Sequence, residues 1–198
     1  MERPGGGAAA PVVQGELWDG PPAPAAGSAP AAAPPPSDTP LGGLERFDYF
    51  LAEPDTTNNR MALRSAIAAL ELVAPFGAAP LTFVTDSSYV VRGMNEWVHA
   101  WRARGWRRKG GPIENLDLWR ELDRLAERRR AAEWSFTWVW VRGHAGHAKN
   151  EYANFLATRA AADQRTSPGL APSGFAAWLE AERARGRYLR FDPDGIRR

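Results

Sequence analysis

The 198-residue chain has no cysteine, three histidines and two lysines, Lys109 and Lys149. Without thiols, disulfides and thiolate metal sites are excluded, and the chain suits a reducing compartment, which predicts a cytoplasmic protein. No apolar run is long enough to span a bilayer, and the first residues lack the charged-then-apolar order of a signal peptide; neither a membrane span nor a leader is expected. The scarcity of lysine leaves basic charge almost wholly to arginine, whose planar guanidinium makes bidentate contacts to phosphate. A net charge of +2 is too small to name a partner, so the placement of the arginines matters more than their number.

Apolar residues make up 44% of the chain and nine residues are tryptophan, enough for one packed domain with tails. Residues 1–42 are the exception. They are dominated by Ala, Pro and Gly and offer too little large apolar surface to offset the entropy of ordering, which predicts a flexible arm. One island within it, residues 12–19, has the character of a short strand. Beyond the arm, periodicity predicts a strand over 44–52, with Phe47, Tyr49 and Leu51 on one face, and a helix over 59–73 entered through Pro54-Asp55-Thr56-Thr57. A buried strand over 81–85 and two short helices over 88–94 and 96–104 follow. Leu118, Leu122 and Leu125 mark a helix over 116–130, and a strand over 134–142 leads to a helix over 149–163.

This order reads as an α/β domain over 43–165, a mixed sheet covered by helices, with a C-terminal extension over 166–198. The extension carries one helix over 175–185, on which Phe175, Trp178 and Leu179 share a face that should dock on the domain itself.

Two features carry chemistry. His144 and His147 lie among glycines in a loop between predicted strand and helix, where mobile imidazoles suit proton transfer. Farther back, Trp97, Trp101 and Trp106 are interleaved with Arg102, Arg104, Arg107, Arg108 and Lys109, with no acid between Arg102 and Lys109. Clustered cations among aromatics form an electrostatic footprint for phosphate. Each feature has a plain structural alternative. Trp97 and Trp101, four apart, would pack in a core, and the arginine run would be a solvated face. Asn58 would cap a helix, and Arg128-Arg129-Arg130 would complement the dipole of the helix it ends.

The segments Thr56-Thr57-Asn58-Asn59-Arg60-Met61, Thr85-Asp86-Ser87-Ser88-Tyr89-Val90 and Arg142-Gly143-His144-Ala145-Gly146-His147 occur in this order. Between the last two lie the tryptophan–arginine stretch 97–106 and the run 112–119. Together they resemble bacterial-type (type 1) ribonuclease H over roughly residues 44–163. The resemblance implies a ribonuclease H-like fold: a five-stranded mixed sheet, its opening strands antiparallel and the rest parallel, with helices on both faces. It also implies recognition of RNA–DNA hybrid and cleavage of the RNA strand to a 5′-phosphate and a 3′-hydroxyl, using Mg2+ or Mn2+ held by four acidic side chains.

Carried onto this sequence, the third acid is Asp86, and the only candidate for the first is Asp19. The second position reads Ala62 and the fourth Asn154. His144 matches the family's mobile histidine. Thr57 and Asn115 match a pair that grips a DNA-strand phosphate, Asn58 and Asn59 match the asparagines that touch the minor groove, and Ser88 stands where glutamine is common. Trp97, Arg107, Arg108 and Lys109 fall in the handle on the duplex. Ala62 removes a ligand and Asn154 removes a charge, so the expectation is a monomeric pseudoenzyme: it binds RNA–DNA hybrid or a related duplex, cleaves it poorly, and needs no cofactor if inactive. If activity survives, Asp86 holds a cation, Asn154 is a weak ligand and His144 shuttles protons. The alternatives are an active hybrid endoribonuclease with a non-standard site, and a non-catalytic scaffold that meets partners through the arm and the helix over 175–185.

Overall fold

The computed structural model describes residues 45–77 and 79–193. The strand-like island at 12–19, Asp19 and the rest of the arm lie outside the described residues.

Helix α1 (Asn58–Val73) begins at Thr57, whose extended backbone and hydroxyl cap it; the hydroxyl accepts from the Arg60 N–H at 3.3 Å. The cap is therefore Thr57, one residue before the Asn58 of the structural alternative. Leu63, Ala66, Ile67 and Leu70 recur at helical spacing and are buried. They pack on α4 (Leu116–Ala131), which contributes Leu118, Trp119, Leu122 and Ala126 to the same core. Beside these helices, β2 (Leu81–Thr85) and β3 (Phe136–Trp140) form a parallel pair with Leu81 opposite Phe136 and Thr85 opposite Trp140. Alternation along each strand turns Leu81, Phe83, Phe136 and Trp138 toward the helices. Val84 and Val139 lie on the other face, exposed at 51% and 36%.

Several predicted elements change shape. The two helices expected over 88–94 and 96–104 form one continuous run: α2 (Ser88–Arg92), a π-helical turn (Gly93–Trp97) and α3 (Val98–Ala103). The widened turn falls where Trp119 lies against the helix backbone; a Cβ on Gly93 would stand 1.9 Å from Trp119 Cη2. Strand β3 is shorter than expected because Trp134 is drawn to the end of α4. Its N–H bonds the Arg129 carbonyl at 3.0 Å, and the Arg129 guanidinium lies 4.8 Å from its ring centroid. Arg129 is itself buried and donates to the Ala79 carbonyl at 3.1 Å, so it does more than complement the helix dipole.

The strand expected over 44–52 contracts to β1 (Phe47–Asp48), antiparallel to β4 (Ala171–Pro172) of the extension. Phe47 is exposed rather than on a buried face. Its partner Pro172 has no N–H to continue a ladder, and the N–H groups of Phe50 and Ala52 bond the hydroxyls of Ser167 and Thr166 instead, each at 3.1 Å. Among the described residues the strands thus make two pairs, β1–β4 and β2–β3, and not the five-stranded sheet expected.

Helices α5 (Ala148–Asp163) and α6 (Phe175–Ala184) build a second apolar cluster. Phe175 and Leu179 are buried against Ala148 and Tyr152, with Trp178 packed beside them, so the extension docks on the domain as its apolar face predicts. Asp48 ties the junction: its carboxylate accepts from the Tyr152 hydroxyl at 2.5 Å, the Ser173 hydroxyl at 2.6 Å and the Gly174 N–H at 2.9 Å. Among the described residues no helix is long and apolar enough to cross a membrane.

Candidate active site and nucleic-acid interface

Asp86 stands between the end of β2 and Ser87, whose hydroxyl caps α2 by accepting from the Val90 N–H at 3.3 Å. Its side chain is exposed at the C-terminal end of the parallel pair. Three other parts of the chain close on it. From β3, the Trp140 indole donates to the Asp86 carbonyl at 3.0 Å. The loop after β3 passes so near that a Cβ on Gly143 would lie 2.9 Å from Asp86 Oδ2. From the first turn of α5, the Asn150 amide donates to the same Oδ2 at 3.2 Å.

Neither Trp140 nor Asn150 was singled out from the sequence, and Gly143 counted only as part of the histidine motif. Asn154 lies one turn beyond Asn150 on the same helix face, is exposed, and makes no hydrogen bond among the described residues. His144 has a left-handed backbone (φ 51°) and an imidazole standing in solvent, with Nδ1 3.6 Å from a Glu151 carboxylate oxygen. His147 is the residue before α5 and makes no side-chain cap. Ala62 packs against the main core. Among the described residues no three His, Asp or Glu side chains lie close enough to share an ion.

A second surface is built by helix ends. Arg60 in α1 reaches Asp117 in α4 at 3.4 Å, which sets the N-terminal turns of the two helices side by side. Thr57 and Asn115 occupy the two cap positions. Asn115 makes no side-chain cap in its left-handed conformation, and its amide reaches the Tyr89 hydroxyl at 3.5 Å. Two adjacent helix N-termini direct N–H groups and partial positive charge outward, a natural seat for a phosphate. Thr57, Asn58 and Asn59 are exposed there, as is Ser88 at the start of α2.

The arginine run divides in two. Arg102 turns inward and pairs with buried Asp123 and with Glu127, at 2.9 Å from the latter, and this contact holds the Glu127 carboxyl below its ordinary range. Arg104, Arg107, Arg108 and Lys109 are exposed and have no acidic partner among the described residues. Arg108 bridges to Gly111 around a tip where Gly110 and Gly111 adopt φ of 90° and 120°. The tryptophans follow the structural alternative. Trp101 is buried, and half-buried Trp97 packs its ring 5.9 Å from that of Trp101 and 6.4 Å from that of Trp119.

The family model for RNase H matches residues 41–162. The chain belongs to the ribonuclease H family. Among its relatives, the ribonuclease H of Aromatoleum aromaticum is 48% identical over 118 residues, 59% of this chain and 72% of the relative. The ribonuclease H of Halorhodospira halophila is 51% identical over 118 residues, 59% of this chain and 74% of the relative. Among solved structures, LC9-RNase H1, described as a type 1 RNase H with the type 2 active-site motif, is 47% identical. It superposes with a TM-score of 0.64 over 74% of this chain and 69% of its own. The fold is ribonuclease H-like, and hybrid ribonuclease activity with Mg2+ or Mn2+ is the family's chemistry.

Proposed function

We propose that this chain recognises RNA–DNA hybrid and that its described residues supply only one corner of a cleavage site. In this reading residues 43–165 grip the duplex and residues 166–198 are a docked extension. The paired helix ends at Thr57 and Asn115 seat a phosphate of the DNA strand, Asn58, Asn59 and Ser88 face the minor groove, and Arg107, Arg108 and Lys109 hold the flanking backbone.

The observation that carries the reading is a contrast between two surfaces. The duplex-gripping side chains are exposed and the basic tip has no acidic partner among the described residues, whereas the neighbour bonded to Asp86 is an amide donor. Two divalent cations held close together need several carboxylates to offset their repulsion. Among the described residues no three acidic or histidine side chains gather around Asp86, Ala62 packs against the core, and Asn150 offers N–H to Asp86 where a cation needs an acceptor. The described residues do not fit a two-cation site, and the proposal is therefore of a hybrid binder with weak cleavage.

A second reading is an active hybrid endoribonuclease with a non-standard ligand set. It is favoured by LC9-RNase H1, a type 1 enzyme by description that carries another type's active-site motif at 47% identity to this chain.

One experiment separates the two. The full chain and its Asp86→Asn variant are incubated with end-labelled RNA–DNA hybrid in Mg2+ or Mn2+, with binding followed by fluorescence anisotropy and the Halorhodospira halophila relative as reference. The proposal expects both forms to bind hybrid alike, with cleavage at least ~100-fold below the reference. Cleavage near the reference rate, abolished by Asp86→Asn, establishes the second reading. Absence of hybrid binding at low salt sinks both.

A further inference from the structure

Arg120, in the second turn of α4, is exposed, yet its guanidinium has a seat: it lies over the Trp106 ring, 5.6 Å from the centroid. Trp106 is fixed from behind. Its N–H bonds the Trp101 carbonyl at 2.7 Å, and its side chain packs against the main core. Its backbone is left-handed at φ 61°, directly after Gly105 at 64°, a conformation rare for so large a residue. The chain thus leaves α3 with the Trp106 ring meeting α4, while the next residue, Arg107, opens the basic tip.

The acids within one turn of Arg120 are engaged by other arginines. Asp117 pairs with Arg60 at 3.4 Å, Glu121 with Arg124 at 2.9 Å, and Asp123 with Arg102. Arg120 therefore keeps its charge without an acidic partner among the described residues. An indole steadies the flat face of a guanidinium and leaves the edge of N–H donors free. A planar fork held in this way loses less freedom when it meets the oxygens of a phosphate.

We infer that Arg120 is a phosphate-contacting residue, preset by Trp106, through which the cationic surface of the basic tip continues onto α4. This goes beyond the motif residues Arg107, Arg108 and Lys109, which carry no part of α4. A strut that only steadied Trp106 would use the stacked face and never the free edge, and the two roles separate in solution. The inference rests on the hybrid-binding reading for the identity of the duplex, while the phosphate contact itself is shared by hybrid and duplex DNA.

The test uses the full chain with Arg120→Gln and Arg120→Lys, each also combined with Arg107→Ala and Arg108→Ala. Affinity for RNA–DNA hybrid and for duplex DNA of the same sequence is followed by fluorescence anisotropy across a salt series, and folding by thermal melting. Arg120→Gln should weaken hybrid binding by about five- to tenfold at low salt and reduce the slope of log affinity against log salt by about 1. The melting temperature should hardly move, and the slope should fall by about 1 again where Arg107 and Arg108 are already replaced. Arg120→Lys should keep the slope but recover only part of the affinity, because it restores a point charge without the planar fork. Affinity within twofold of the parent with an unchanged slope in Arg120→Gln overturns the inference, whether or not melting falls. So does a slope that falls in the parent chain but not in the background lacking Arg107 and Arg108, since Arg120 then acts only through the tip. Binding of duplex DNA but not hybrid, with the Arg120→Gln pattern intact on DNA, would remove the hybrid-binding reading and leave the inference standing. A parent chain that binds neither duplex overturns both.

Discussion

At Gly93 an added methyl group would lie 1.9 Å from Trp119 Cη2, and Trp119 is fully buried. The ring cannot retreat without opening the core, so Gly93→Ala should cost about 2–3 kcal/mol in urea unfolding, read as a lower midpoint at unchanged slope. Tyr152 offers a pH test. Burial, followed by its hydrogen bond to Asp48, raises its hydroxyl well above the ordinary tyrosine value. The unfolded tyrosine ionises near pH 10 while the folded one resists, so this contribution is complete below about pH 10 and fades as pH climbs toward the raised folded value. The melting temperature should fall from about pH 10 upward. Tyr152→Phe should flatten part of that fall and cost about 1–2 kcal/mol at neutral pH, because Asp48 loses a donor. Burial also raises Tyr188, so some of the alkaline fall will remain.

The two apolar clusters are distinct in the fold and should behave as separate elements of stability. Phe175 is buried between Tyr152 and Trp178, with ring centroids 5.3 and 6.0 Å away, and it anchors α6 on α5. Phe175→Ala should cost about 3–4 kcal/mol there. Amide exchange should rise across α5 and α6 while α1 and α4 keep their protection; uniform loss everywhere would show that the clusters unfold as one. Helices α1, α4 and α6 were legible in the sequence because an amphipathic period is a local property. The short β1 was not, because a strand's length depends on what lies beside it, and here that is Pro172 and two hydroxyls from the extension. The π-helical turn was hidden for a similar reason: it coincides with the close approach of Gly93 and Trp119, which are distant in sequence. In the candidate site, Asp86 and the exposed Asn58 and Asn59 could be read from motifs. Asn150 could not be told from Asn154, since both lie on one helix face and only packing decides which reaches the carboxylate.

Over the whole molecule a net charge of +2 hides a division that the sequence order obscures. Arg102 and Arg107 belong to one run, yet Arg102 faces Asp123, which is 6% exposed, while Arg107, Arg108 and Lys109 meet solvent without an acidic partner among the described residues. The two groups should therefore fail in different ways. Each cation at a phosphate releases about one counterion, so the slope of log affinity against log salt counts those contacts. Arg107→Glu combined with Arg108→Glu should weaken hybrid binding and reduce that slope by about 2, with the melting temperature nearly unchanged. Arg102→Ala should leave the slope as it was. It removes a partner of a buried carboxylate, so its cost should appear as about 1–3 kcal/mol of stability, at the low end because Arg102 is partly exposed. A slope that falls in Arg102→Ala but not in the double variant would mean that the duplex meets the inward face of α3, and that the basic tip is only a solvated surface.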